Sequence, residues 1–316
     1  MNSNRPLVSI LAPCYNGARF LEKFFESLLI QDYESLELIF INDGSKDNSE
    51  EVVFSYKERL EKAGISLIYE YRENAGIGAA IDRGLKLLHG KYFTWIGFDD
   101  YYHPQFFSKL VEFMETNPKY SVVRNDGFLV DENDNSIILG KMADCNHDKY
   151  NEHLFENAIL ERNFQFGYSV VRTEDFFERI PSKSIYPSRH GQNWQILLPL
   201  FYYGLSAFYE EPLYYVLVNS NSVSRDPAKA GITKLLEQKD EYKNILVETL
   251  YSFELPDRDK YLAMVDEKYA RMKMRIGYNF KNRAVFDQYF KELKTLGKAN
   301  WKDYSLHFRS LFSFQK

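Results

Sequence analysis

Asp99 and Asp100 stand side by side at the end of an apolar, aromatic and β-branched run, Tyr92-Phe93-Thr94-Trp95-Ile96-Gly97-Phe98. Such a run fits a buried strand of a parallel sheet, and two carboxylates at its end are costly to bury unpaired. A divalent cation would compensate them, because Mg²⁺ and Mn²⁺ take oxygen ligands, commonly one or two carboxylates plus substrate phosphates. The same two residues also suit the cap of the helix that Pro104 opens, since Asp is a favoured cap and Pro a favoured first residue. Other polar groups follow apolar runs at sharp turns: Asn16 in Pro13-Cys14-Tyr15-Asn16-Gly17, Asp43 in Asn42-Asp43-Gly44-Ser45, and Asn74 ahead of Gly76-Ile77-Gly78.

These residues act together only if the intervening elements bring them to one edge. Leu7 to Ala12 reads as a strand, after which Phe20, Phe24 and Leu28, flanked by Leu21, Phe25 and Leu29, recur at helical spacing. Leu36 to Ile41 is the second strand, with Asp47 and Glu50 placed as N-cap and third residue of the next helix. Ile65 to Tyr71 is the third, and Gly76 to Ala80 opens a helix expected to run to about His89 and stop at Gly90. The run from Tyr92 supplies a fourth strand, and a helix from Pro104 to about Asn117 follows it. Alternation of this kind argues for an α/β protein with a doubly wound, mainly parallel sheet, whose ligands bind at the carboxyl ends of the strands. Asn16, Asp43, Asn74, Asp99 and Asp100 all fall at such ends.

Beyond Ser121 the pattern breaks into shorter β-like pieces, Val122 to Asn125, Phe128 to Val130 and Tyr168 to Val171. An apolar helix is expected over Trp194 to Tyr203 and a strand over Pro212 to Val218, leading into a polar loop with Arg225. From about Gly231 helical spacing takes over, through Leu235, Tyr242, Leu246, Leu250, Met264, Tyr269 and Met272.

Composition narrows the function. With 316 residues, 45% of them apolar and 27% charged, the chain has the make-up of a soluble globular protein. A net charge of −5, with Lys and Arg dispersed, argues against nucleic acid as a partner. Cys14 and Cys145 lack metal-cluster spacing and the N-terminus lacks the apolar core of a signal peptide, so a cytoplasmic location with reduced thiols is expected. No apolar run approaches the length of a membrane span. Gly76-Ile77-Gly78 suggests a dinucleotide fingerprint, but Ile81 holds the third glycine position and the unit is third in order rather than first. A Walker A loop, a Gly-x-Ser-x-Gly elbow and a His-Glu-x-x-His helix are all missing from the sequence.

Four segments in order, Val8 to Gly17, Ile41 to Ser49, Asn74-Ala75-Gly76 and Phe98-Asp99-Asp100, resemble family 2 glycosyltransferases of GT-A fold. Trp194 to Arg225, with Glu211-Pro212-Leu213-Tyr214-Tyr215, extends the resemblance to about residue 225. It implies a GT-A domain over 1–225, with a nucleotide-sugar half at 1–120 and an acceptor-side half at 121–225, and the helical region at 226–316, read from its spacing, lies outside it. It places Pro13, Tyr15 and Asn16 near the nucleotide and makes Asp43 the partner of the nucleobase imide, a role open to a carboxylate acceptor. Asp43 in Asn-Asp-Gly is equally a turn former. Asn74 and Gly76 would line the donor site, offering helix-start N–H groups to anionic groups, although Asn74 also reads as a plain N-cap. Asp99 would meet ribose or sugar, and Asp100 the Mn²⁺ or Mg²⁺ bridging the diphosphate.

Two positions depart from the family pattern. The earlier acid of the Asp-x-Asp type is Gly97 here, and Gln192-Asn193 stands where many members carry Glu-Asp with the Asp as base. An amide cannot take the acceptor's proton at neutral pH. His190, whose ordinary pKa is near neutral, and Asp126, just past a strand end, are the candidate bases, each with an everyday reading as a loop or turn residue. His103 before Pro104 reads as a metal or phosphate contact or as packing at the helix start.

The resulting expectation is an inverting, metal-dependent transfer from a nucleotide sugar, UDP-linked, to a saccharide or lipid-linked acceptor. The alternative is a binding module for sugar nucleotides or glycans. Lys281, Arg283, Lys291, Lys294, Lys298, Lys302 and Arg309 among aromatics suit contact with an anionic membrane as well as a solvated face, and the C-terminal helices also suit a homodimer.

Overall fold

The computed structural model describes residues 5–145, 148–162, 166–218 and 231–314. The polar loop expected at Arg225, and the domain limit expected beside it, lie outside the described residues. The chain forms two compact units, 1–219 and 220–316.

In the first unit β1 (Val8–Cys14) and β2 (Leu36–Asn42) are buried along their whole length, as strands covered on both faces must be. β3 (Ser66–Tyr71) and β4 (Tyr92–Trp95) flank them in parallel, giving the order β4-β1-β2-β3. Side chains alternate between the two faces. Val8, Ile10 and Ala12 join one core with α1 (Ala18–Leu29), α2 (Ser49–Lys62) and α4 (Phe106–Thr116), through Phe24, Phe25, Val53, Phe106 and Leu110. Each fully buried Phe there contributes about 1.5–3 kcal/mol. Leu11 and Ile41 face α3 (Ile77–Leu85), which approaches so closely that a Cβ on Gly84 would lie 2.9 Å from Leu11 Cδ2.

α3 ends at Leu85 rather than near His89. Buried Glu37 accepts the His89 N–H at 2.9 Å, and Ser9 Oγ accepts the Gly90 N–H at 2.8 Å, so this stretch is tied to the strands instead of continuing the helix. Asp47 does not cap α2 as expected. Its carboxylate accepts from Ala18 N at 3.0 Å and Ser49 N at 3.1 Å, pinning the start of α1 to that of α2.

The sheet continues through β6 (Tyr120–Asn125), β9 (Ser169–Arg172) and β10 (Leu205–Tyr209) in the order β10-β6-β9-β4. β9 runs antiparallel to both of its neighbours, the one reversal in an otherwise parallel sheet. A second sheet joins β5 (Tyr101–Tyr102), β11 (Tyr214–Val218), β7 (Phe128–Asp131) and β8 (Ile138–Lys141). α5 (Phe155–Leu160), α6 (Thr173–Arg179) and α7 (Gln192–Tyr203) complete the unit.

The second unit is helical, with α8 (Ile232–Tyr251), α9 (Arg258–Asn279), α10 (Arg283–Thr295) and α11 (Trp301–Ser313). Ala270, Met274, Phe286, Phe290 and Leu293 form a core on which Leu306 and Phe314 pack. Gly277 allows α9 and α10 to touch, since a Cβ there would lie 2.6 Å from Phe286 N.

Candidate functional site

Two cavities open at the carboxyl ends of β1 to β4, and Pro13 and Ile77 line both. The smaller, about 390 Å³, is lined by Tyr15, Asp43, Asn74, Gly76, Arg189 and His190 among others. The larger, about 490 Å³, holds Asp99 and Asp100 together with Trp95, Gly97, Glu161, Tyr168, Gln192 and Asn193. Strand-end placement thus brings Pro13, Tyr15, Asp43, Asn74 and Gly76 to one chamber and Asp99 and Asp100 to the next. Asn16 reaches neither. Its backbone is left-handed (φ 52°), its N–H donates to Ser45 Oγ at 3.0 Å, and its Oδ1 accepts from Lys46 N at 2.7 Å, so it ties two loops together.

Asp43 is buried, and its carboxylate organises the floor of the smaller chamber. It accepts from Ala75 N at 3.1 Å and Gly76 N at 2.8 Å, and pairs with Arg72 Nε at 3.2 Å. A carboxylate offers about four acceptor positions, so these three donors leave room for one more. Gly78 N is also taken, donating to Ser188 O at 2.9 Å. The N–H groups of Ala75, Gly76 and Gly78, expected to be open to anions, are therefore engaged within the protein. Asn74 is not a helix cap either: Gly76 holds that position, while Asn74 Nδ2 donates to Asp43 O at 2.9 Å. The exposed cation on this wall is Arg189, whose Nη1 lies 3.5 Å from Asn74 Oδ1. Sequence reading passed over it, because its nearness to Asn74 comes from a contact across more than a hundred residues.

Asp99 and Asp100 do not cap the helix after Pro104. α4 begins at Phe106 with Gln105 as its N-cap, and the two acids occupy the turn between β4 and β5. The Tyr168 hydroxyl donates to Asp100 Oδ2, and Leu217 N donates to Oδ1 at 3.0 Å. Burial, and then the charge of Asp99, push the Asp100 carboxyl up to about 7. Asp99 keeps solvent contact on one side, yet enough protein surrounds it that burial raises its carboxyl too. Among the described residues no Lys, Arg or His lies within ion-pair distance of either, and no cluster of three His, Cys, Asp or Glu residues forms a metal cage. The exposed Arg19 guanidinium is near enough to pull the Asp99 carboxyl down against that burial without pairing with it, and two carboxylates facing an open chamber fit a divalent ion that takes its remaining ligands from phosphate and water.

Gly97 has a local reason. A Cβ there would lie 2.6 Å from Asp99 Oδ1, the movable end of an exposed side chain, so a side chain at this position turns that carboxylate aside.

Asn193 lies at the start of α7, and its Oδ1 accepts the Trp95 indole N–H at 2.7 Å. Of the proposed bases, His190 is exposed but lines the smaller chamber, one cavity away from Asp99 and Asp100. Asp126 lines neither. It is buried, and its Oδ1 accepts Gly127 N at 2.8 Å and Ala143 N at 3.0 Å, as a turn-organising residue would. The structure adds Glu161, exposed, left-handed (φ 52°) at the end of α5, and lining the larger chamber. No sequence motif marks it. The His103 imidazole serves the helix start, its Nδ1 accepting Gln105 N at 3.3 Å, while its backbone N–H donates to Leu213 O at 2.9 Å and its backbone O accepts Gln31 Nε2 at 3.0 Å.

A mixed α/β sheet with its ligand chambers at the strand ends and a helical region after it defines the class as a GT-A-type fold. The sequence profile of Glycosyl transferase family 2 matches residues 9–189, and the chain belongs to that family. It is 36% identical to an uncharacterised glycosyltransferase of Rickettsia typhi over 141 residues, 44% of this chain and 42% of that protein, so the match spans less than half of that relative. The uncharacterised glycosyltransferase EpsJ of Bacillus subtilis is 28% identical over 74% of this chain and 67% of its own length. A processive diacylglycerol beta-glycosyltransferase of Mycoplasma genitalium is 29% identical over 62% of this chain and 59% of its own. In fold the chain is similar to Staphylococcus aureus TarS residues 1–349 in complex with UDP-GlcNAc, with a TM-score of 0.66 at 15% identity over 95% of this chain and 83% of that one. It is also similar to the mannosyltransferase PcManGT of Pyrobaculum calidifontis in complex with GDP-Man and Mn²⁺, with a TM-score of 0.56 at 12% identity over 98% and 80%.

Proposed function

We propose that the chain transfers a sugar from a nucleotide-sugar donor, UDP-linked, to a saccharide or lipid-linked acceptor with inversion. The observation that carries this reading is the pair of adjoining chambers, one built around Asp43, Asn74 and Arg189, the other around Asp99 and Asp100. The UDP-GlcNAc of TarS, the GDP-Man and Mn²⁺ of PcManGT and the diacylglycerol named for the Mycoplasma relative support it.

In this reading Pro13 and Tyr15 flank the base, and the remaining acceptor position of Asp43 receives the uracil imide N–H. Arg189 meets the diphosphate from the chamber wall, where a planar guanidinium suits paired phosphate oxygens. Asp99 orients ribose or sugar. Asp100, with Asp99 beside it, would hold Mn²⁺ or Mg²⁺, which when bound supplies charge stabilisation to the departing diphosphate. Inversion needs the acceptor hydroxyl behind the anomeric carbon and a base to take its proton. Asn193 cannot serve, since its amide oxygen holds the Trp95 N–H. Glu161 shares the chamber with the acid pair and is the assigned base, with His190 as its rival.

Calorimetric titration with UDP and Mn²⁺, followed by donor hydrolysis across a panel of nucleotide sugars, tests the proposal. Binding and turnover are expected in the native chain, with turnover lost in Asp100→Ala. A chain that binds no nucleotide sugar would sink it. The amides Gln192 and Asn193, standing where the resemblance implies a base, support the alternative of a module that binds without turnover, which saturable donor binding with no hydrolysis or transfer would select.

A further inference from the structure

α11 carries a face that its own unit leaves uncovered. Trp301 is 74% exposed, Phe308 63%, Phe312 64% and Leu311 40%, and Tyr304, whose ring edge meets Phe290 at 5.3 Å, remains 52% exposed. At 3.6 residues per turn these five positions fall within about 100° of arc, a single stripe along a helix about 20 Å long. The opposite face is fully used. Asp303 turns inward to pair with Arg271 and completes a capping box with Asn300; His307 stacks on Phe290 at 4.6 Å; Leu306 packs on the Phe286–Phe290 core. The helix is thus held by one side, and the aromatic stripe is not what folds it.

Charge decides what the stripe suits. The cations of this stretch, Lys298, Lys302 and Arg309, sit on or beside the helix, and Lys302 Nζ lies 5.6 Å from the Trp301 ring centre. Lys302 and Arg309 fall together along one edge of the stripe, by the same helical spacing. The lone acid of residues 298–314 is Asp303, already paired inside. A second copy of this chain would bring the same cations face to face, which opposes self-pairing through the stripe. Aromatic and leucine side chains on one face with cations along its edge are the pattern of a helix lying in the plane of a lipid headgroup layer, and Trp and Tyr are the side chains that favour that layer.

We propose that α11 docks on an anionic lipid surface, with Trp301, Phe308 and Phe312 inserted at the headgroup boundary and Lys302 and Arg309 on the phosphates. The chain then lies on a membrane. No described helix is long and apolar enough to cross one.

Flotation of the full chain tests this with phosphatidylcholine vesicles with or without phosphatidylglycerol, in the absence of nucleotide, metal or acceptor, so the outcome stands apart from the donor-site reading. The native chain is expected to float with the anionic vesicles and to be released as salt rises, since exposed charges are screened. Trp301→Gln with Phe308→Gln and Phe312→Gln is expected to lower the bound fraction at least about tenfold, and Lys302→Glu with Arg309→Glu to abolish the preference for anionic lipid. Circular dichroism should be unchanged in both variants, because the substituted side chains are exposed. Absence of flotation with either vesicle overturns the proposal, as does full retention of binding by the triple variant. A concentration-dependent dimer that the triple variant abolishes, without vesicle binding, assigns the stripe to a second copy and overturns it too.

Discussion

The Tyr168 hydroxyl donates to Asp100 Oδ2 and accepts the Gly97 N–H at 3.2 Å, so one side chain grips both ends of the turn that carries the acid pair. Asp100 N closes the same turn onto Gly97 O at 3.1 Å. Tyr168→Phe removes the hydroxyl without changing the ring. A hydrogen bond to a charged group is worth about 1.5–3 kcal/mol, and without it the carboxyl of Asp100 rises further. The variant should need more Mn²⁺ and lose about ten- to a hundredfold in turnover at fixed metal. Turnover against Mn²⁺ concentration checks this, and an unchanged metal requirement would remove Tyr168 from the account.

Gly97→Asp supplies the earlier acid that the family resemblance implies at this position. Because a Cβ there meets Asp99 Oδ1 at 2.6 Å, the new side chain displaces Asp99 and adds a like charge to a crowded turn. Donor turnover should fall, while stability by chemical denaturation should drop by no more than about 1 kcal/mol, because the contact is with a movable side-chain end. Higher turnover with unchanged stability would mean that the turn has slack for a third acid.

Gly76 is a sharper constraint, since its φ of 96° and a Cβ only 2.8 Å from Arg189 Cα oppose any side chain. Gly76→Ala is expected to cost about 1–3 kcal/mol. It should also weaken UDP binding, because the loop it strains holds Asn74 and Arg189. Denaturation and UDP titration of the same preparation give both readings.

How much of this was legible in the sequence follows from the range of each contact. β1 to β4 and the turns after them are local patterns, so Asp43, Asn74, Asp99 and Asp100 could be placed at one edge from alternation alone. Asn16 followed the same rule but is spent on the Ser45–Lys46 loop. What holds Asp100 comes from Tyr168 and Leu217, 68 and 117 residues away, and no local spacing reports that. The reversed strand β9 between β4 and β6 was hidden for the same reason, as was the sheet completed by the two-residue β5. Asp126 shows the limit of local spacing, because an acid after a strand looks alike whether it faces a cavity or, as here, two backbone N–H groups.

Cys14 lines the smaller chamber, yet burial pushes its thiol up to about 12. A raised thiol pKa means less thiolate at every pH below it, here about a thousandfold less than for a free cysteine at pH 8. Iodoacetamide should therefore leave Cys14 unmodified in the native chain while labelling it on unfolding, as read by peptide mass spectrometry. Rapid native labelling would show that the chamber opens further than its walls indicate.

Glu161 and His190 separate the two assignments of the base. A positioned general base contributes about 10²–10⁴ in rate, so Glu161→Gln should lower turnover by that range while leaving UDP affinity unchanged, since its chamber adjoins rather than forms the nucleotide pocket. His190→Gln, on the nucleotide wall, should instead raise the donor KM and change kcat less. Asp126→Asn should lower stability through Gly127 and Ala143 yet retain turnover in the folded fraction. The acid limb of the pH profile of kcat, taken at saturating Mn²⁺ so that the raised carboxyl of Asp100 is held ionised, gives a further check, because removing the base alters that limb and removing a bystander leaves it in place. A Glu161→Gln enzyme with native kcat and an intact acid limb would pass the role to His190.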